Sequence, residues 1–102
     1  MEFLVEKTTQ LPDDLDAVRS STLRSAETQV VGELMASGVL RRLWRSADGA
    51  RTVTIGLWEA RDETELAQFL SRLPLRPWMS VHVRPLTPHP NELQHQKRSA
   101  GR

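Results

Sequence analysis

Three features of this 102-residue chain predict a single α+β domain, in which a four-stranded antiparallel sheet carries two helices on one face. Segments that alternate apolar and polar residues and segments with helical spacing follow one another in the order β-α-β-β-α-β. Proline, glycine and aspartate punctuate the joints between them. The length suffices for one hydrophobic core and not for two.

Glu2 to Thr9 is β-tolerant and sets Phe3 and Val5 on one face, with Leu4 and Glu6 on the other. Leu11-Pro12-Asp13-Asp14 stops this strand. Asp13 or Asp14 then caps a helix with Asp16 in its first turn, where the helix dipole favours negative charge. Gly38 terminates that helix near Ser37. Val39 to Ser46 and Thr52 to Glu59 read as two strands around Ala47-Asp48-Gly49-Ala50, whose Asp-Gly pair suits a hairpin. In the second of them Val53, Ile55 and Leu57 alternate with Thr54, Gly56 and Trp58, and one of these sets belongs to the core. A further helix fits Asp62 to Arg72, with Asp62 as cap, Glu65 three residues on, and Leu66, Phe69, Leu70 and Leu73 at helical spacing. The stretch Arg72-Leu73-Pro74-Leu75-Arg76-Pro77-Trp78-Met79 is neither helix interior nor central strand, because proline fixes φ and removes a donor. Met79 to Leu86 supplies the last strand. Residues 91–102 follow as a polar, partly disordered tail.

This order folds as the split βαβ, or ferredoxin-like, arrangement over residues 1–90. It leaves the second sheet face bare. Leu4, Trp58, His82 and Arg84 are expected there, with Leu40 and Trp44 as further candidates, a mixture apolar enough to favour self-association.

Composition narrows the function. No apolar run approaches the ~20 residues that cross a bilayer. The N-terminus carries acid where a signal peptide needs base, so a cytoplasmic protein without membrane association is expected. There is no cysteine, and His82, His89 and His95 lack metal-ligand spacing, which leaves no metal or cofactor site in view. A net charge of +1 argues against general nucleic-acid binding. The twelve arginines and two lysines make the cationic side nearly all guanidinium, the better fork for a carboxylate, although codon bias explains the ratio as well.

The strongest chemical signal is Glu27. On a helical wheel Leu23, Ala26, Val30, Val31 and Leu34 form the apolar stripe of the first helix, and Glu27 falls inside it. A carboxylate turned toward a core is costly unless paired or hydrogen-bonded. Burial disfavours its charged form and brings it toward the range of a general base near neutral pH. A structural ion pair with a sheet arginine is the competing explanation. The second signal is Leu40-Arg41-Arg42-Leu43-Trp44-Arg45. Strand alternation would put Arg41, Leu43 and Arg45 on one face, so that Arg41 or Arg45 reaches an anionic ligand between sheet and first helix. Trp44, Trp58 and Trp78 are candidate cavity walls that core packing or a subunit contact explains equally well.

These pieces together resemble the muconolactone isomerase family. The likeness is colinear from about Met1 to Pro90 and rests on Leu11-Pro12 before Asp16, on Glu27, and on Gly38 followed by Arg41-x-Leu43-Trp44-Arg45. Leu73-Pro74-Leu75-x-Pro77 with an aromatic and Met79 after it, and His89-Pro90, complete it. The resemblance implies a cofactor-independent isomerase that shifts a carbon-carbon double bond in a butenolide carrying an acetate arm, within the β-ketoadipate route of aromatic catabolism. It implies Glu27 as the single base that removes and returns a proton, with Arg41, Arg45, Trp44, Thr54 and Trp78 around the substrate. It also implies a homo-oligomer, a dimer that can assemble further into a decamer, with the elbow holding Trp78 and Met79 as a wall. The family pattern has histidines where this chain has Leu4 and Arg42, an asparagine near Thr54, and Cys-Arg at Thr87-Pro88. Its hairpin is about two residues shorter. The alternatives are a relative acting on a different enol, lactone or polyketide-like metabolite, and a non-catalytic ligand-binding or assembly module on the same oligomer, which predicts that Glu27 is ion-paired and that no closed pocket exists. An RNA-recognition domain shares the strand order but needs stacking aromatics on the central strands of the open face, where only Trp58 qualifies, without the basic-aromatic signature.

Overall fold

The computed structural model describes residues 1–49 and 51–100. Strand β1 (Glu2–Thr9) leads into α1 (Ala17–Ala36), the hairpin strands β2 (Leu40–Asp48) and β3 (Arg51–Glu59), then α2 (Glu63–Ser71), a 3₁₀ turn (Arg76–Trp78), β4 (Met79–Leu86) and α3 (Pro90–Ala100). The sheet is antiparallel in the order β2-β3-β1-β4, the ferredoxin-like arrangement. The expected polar tail is helical over Pro90–Ala100, with Leu93 exposed on it. Ala50, expected in the hairpin turn, lies outside the described residues, as do residues 101 and 102.

Local chemistry sets the helix ends. Asp16, not Asp13 or Asp14, caps α1, its Oδ1 accepting the Arg19 N–H at 2.8 Å. At the other end Gly38 takes φ +81° and donates to the Met35 carbonyl, while the Val39 N–H reaches the Leu34 carbonyl. This paired closure needs a left-handed residue after the cap. Asp62 caps α2 through the Glu65 N–H at 2.8 Å, and Glu65 returns a bond to the Arg61 N–H.

Register settles which residues share a face. In an antiparallel sheet, residues directly opposite one another point the same way. Leu40, Trp58, Phe3 and Pro85 therefore form one row across the helix-covered side, and Leu43, Gly56, Val5 and Val83 form the next. A third row is Arg45, Thr54, Lys7 and Val81. Phe3, Trp58, Leu40 and Leu34 are fully buried and centre the core, which Leu66, Leu70, Leu73, Leu75 and Met79 extend.

Two face assignments expected from alternation are thereby corrected. Trp58 and Leu40 lie under the helices, not on the bare face, and Val53, Ile55 and Leu57 take the open side. The cause in β2 is a register shift between Leu40 and Arg42, an extra residue that inverts the parity of everything after it. Arg41 and Arg45 consequently face opposite ways. In β3 the cause is room. A Cβ on Gly56 would stand 2.7 Å from Trp58 Nε1, so the indole occupies the space that a side chain at this position would need. The Thr-Gly-Trp set buries one large ring and outranks three aliphatics of ordinary size.

Candidate functional site

The first two rows of the covered face are apolar; the third brings charge under α1. Seven residues, about 10 Å of helix, separate Glu27 from the fully buried Leu34. That distance carries the Glu27 carboxylate from the deep core out to Lys7 on β1. Its Oε2 lies 3.9 Å from Lys7 Nζ, with the side chains 13% and 8% exposed respectively.

The other carboxylate oxygen is held by the proline elbow. Leu73-Pro74-Leu75-Arg76 is a β-turn closed by the Arg76 N–H on the Leu73 carbonyl at 3.0 Å, with Leu75 at φ −86°, ψ 1°. In such a turn the two central N–H groups find no partner within it. Pro74 has none to offer, and the remaining one, on buried Leu75, donates to Glu27 Oε1 at 3.0 Å. The elbow is therefore a backbone clamp on the carboxylate. Pro77 then starts the 3₁₀ turn that delivers the chain to β4.

One oxygen of Glu27 is thus spoken for. Oε2 accepts no hydrogen bond among the described residues, since 3.9 Å exceeds hydrogen-bonding distance. Lys7 pays for its position in solvation: burial pulls its pKa below 10.5, and the Glu27 charge pushes it back up. Lys7 is the residue that sequence reading missed, and the expected arginine partner of Glu27 is this lysine. The signal was present, because Lys7 continues the Phe3–Val5 alternation onto the buried face.

The remaining candidates divide. Thr54 is half-buried directly opposite Lys7, and Arg45, exposed, is directly opposite Thr54, so both share the row under Glu27. Arg41 does not. Its Nη1 donates to Glu2 Oε2 at 3.4 Å and lies 3.9 Å from Glu59 Oε2. Trp44 is on the open face, 40% exposed, with the Arg42 guanidinium 4.9 Å from its ring centroid. Trp78 is half-buried against the core, and its carbonyl accepts the Gln10 N–H. With Leu11, Pro12 and Met79 it lines a shallow groove of about 480 Å³ in which Glu27 takes no part. Met79 itself is buried core. Leu4 and Arg42 lie on the open face, away from Glu27, whereas Thr54 stands in its row.

Among the described residues no group of three or more His, Cys, Asp or Glu side chains could hold a metal ion, and no helix is long and apolar enough to cross a membrane.

Comparison with known proteins agrees on one family. A family model described as muconolactone delta-isomerase matches residues 1–92. Muconolactone Delta-isomerase 2 of Acinetobacter lwoffii is 40% identical over 93 residues, covering 91% of this chain and 95% of the relative. Muconolactone Delta-isomerase of Pseudomonas aeruginosa is 31% identical with the same coverage of each chain. A crystal structure of muconolactone isomerase superposes with a TM-score of 0.79 at 32% identity, over 88% of this chain and 92% of that one.

Proposed function

This chain belongs to the muconolactone delta-isomerase family, and from that premise we propose that Glu27 is the base with which it moves a carbon-carbon double bond in a muconolactone-like butenolide acetate. The observation that carries this reading is the asymmetric setting of one shielded carboxylate. Oε1 is held by the Leu75 N–H, and Oε2 accepts no hydrogen bond among the described residues and faces Lys7 on the sheet.

Isomerisation of this kind needs one group that removes a ring proton and hands it back at another carbon. The proton is acidic because the electron pair left behind is conjugated through the lactone carbonyl as a dienolate. A carboxylate held on one oxygen keeps the other aimed, so the same atom serves both transfers. Arg45, exposed at the edge of the row, suits the acetate arm, since a guanidinium matches a carboxylate bidentately. Thr54 between Arg45 and Lys7 offers a hydroxyl to a ring oxygen. Arg41, Trp44 and Trp78 are not brought to this row within one chain.

Assembly belongs to the same reading. The open face presents Leu4, Ile55, Leu57 and Leu86, all half-buried, beside Trp44. We place a second copy of the chain there, in a dimer from which a larger ring such as a decamer can grow.

The test of the base is Glu27→Gln, assayed for double-bond migration and for deuterium uptake across a panel of butenolide acetates. The expected loss is at least ~100-fold in kcat, the scale of a positioned acid-base group. A variant that turns over like the wild type removes the mechanism. A folded wild type inert on the whole panel favours the binding-module or the altered-substrate alternative, and for the latter the Thr54 row is the place to look.

A further inference from the structure

We propose that Lys7 is a second catalytic residue, its ammonium receiving the lactone oxygen on which negative charge builds as Glu27 takes the ring proton. This rests on the assignment of Glu27 as base and adds the electrophile that such a base requires. Removing a proton beside a carbonyl leaves charge on oxygen, and a preorganised donor at that oxygen is commonly the largest single contribution to catalysis.

Several independent features single out Lys7. Its side chain is 8% exposed, so its charge is poorly solvated and gains much from an anionic partner. Its three N–H donors make no hydrogen bond among the described residues, and at 3.9 Å the Glu27 carboxylate does not use them. It shares a sheet row with Thr54 and lies 3.9 Å from the Glu27 oxygen that accepts no hydrogen bond among the described residues. Arg45 is a poorer choice for this task, being exposed and two strands away.

Charge bookkeeping explains why a buried lysine belongs next to the base. Before reaction the ammonium faces the Glu27 carboxylate. As the C–H bond breaks, its proton goes to Oε2 and its electron pair into the conjugated system, ending on the carbonyl oxygen. Glu27 becomes neutral as the dienolate becomes anionic. Lys7 faces one negative charge throughout, and only its position changes. Return of the proton to another ring carbon restores the carbonyl and the carboxylate, and no oxidant, reductant or co-reactant enters. The interaction with substrate strengthens toward the transition state, which is what lowers a barrier.

The experiment compares Lys7→Met and Lys7→Gln with the wild-type protein for kcat, KM and binding of two probes. One is a saturated lactone acetate, which mimics the ground state. The other is a tetronic-acid acetate, whose enolate mimics the dienolate. The expected result is a fall in kcat of roughly 100- to 1000-fold, as for removal of one oxyanion donor. KM and saturated-lactone affinity should stay within about threefold, while enolate affinity falls with kcat/KM. Retention of kcat in either folded variant overturns the proposal. So does an equal loss of affinity for both probes, which marks Lys7 as a general substrate clamp. If Glu27→Gln is inactive while the Lys7 variants are active, Lys7 alone is misassigned; if Glu27→Gln is active, the base assignment fails with it.

Discussion

Separate replacement of Lys7 and Glu27 should damage the fold, and joint replacement should largely repair it. At the observed 3.9 Å separation and an effective dielectric of about 20, attraction between full charges is ~4 kcal/mol gross. Desolvation of both groups consumes most of it, so the pair adds little net stability. Breaking it is another matter, because each single variant strands one shielded charge. Lys7→Met and Glu27→Gln should therefore each cost about 2–4 kcal/mol, and the double variant should return to within ~1 kcal/mol of wild type. In urea, with an m-value of about 1–3 kcal/mol/M, the single variants should lose roughly 1–2 M of midpoint. Measurements belong at one protein concentration, since assembly makes the midpoint concentration-dependent. The pH dependence has a definite sign. Lys7 has a folded pKa below its unfolded 10.5, so between those values the unfolded chain binds more protons and stability rises with pH. The penalty for holding the ammonium is complete below the lowered pKa and is relieved as pH climbs through it. Lys7→Met should flatten that alkaline rise. The groups around Lys7 that bear on this window are Glu27 from α1 and Arg45 along the row; Val81 on β4 carries no charge. Additive single-variant losses, with coupling under ~0.5 kcal/mol, would refute the pairing.

Gly56→Ala should destabilise by about 1–3 kcal/mol, because the new methyl meets Trp58 Nε1 at 2.7 Å and a fully buried indole cannot step aside cheaply. Pairing it with Trp58→Phe should give less than the summed cost in urea denaturation. Arg45→Ala should raise KM for an acetate-bearing lactone about tenfold, the scale of a charged hydrogen bond. Arg41→Ala, which removes only exposed pairs with Glu2 and Glu59, should change KM less than twofold and stability by under ~0.5 kcal/mol.

Period and punctuation made the elements legible. β1 and β4 run over the residues that alternation picks out, and Asp62 caps α2 as its spacing with Glu65 implies. Parity was harder to read. The bulge after Leu40 leaves no mark in residue type, yet it sends Arg41 to the face opposite Arg45. In β3 the aliphatic set Val53, Ile55 and Leu57 competes with a set that holds the large indole of Trp58, and the close fit of Trp58 over Gly56 decides between them. At the site, Glu27 stood out because it interrupts an apolar stripe. Lys7 did not, because a lysine at a strand end reads as solvated until the strand's register places it under a helix. The elbow's contribution was invisible for a different reason: the group that binds Glu27 is a backbone N–H, which Leu75 shares with every residue but proline.

The Lys7–Glu27 pair is hard to explain as a stabilising device. A domain of this size keeps only about 5–15 kcal/mol of net stability, and a well-packed apolar pair in the same place would often serve the fold as well or better. The apolar rows beside it show that this sheet can fill its covered face with Leu, Val, Phe and Trp. Charge enters these rows at the third, where β2 carries exposed Arg45 beside half-buried Thr54. Carboxylate, ammonium and N–H clamp come from α1, β1 and the α2–β4 elbow, segments that only the completed fold brings together. The carboxylate is therefore fixed by the same packing that builds the core, and its second oxygen faces a cation whose donors, among the described residues, make no hydrogen bond. A structural salt bridge has no need of that spare hydrogen-bonding capacity. The proposed base, which must pass charge to a neighbouring oxygen and take it back, does.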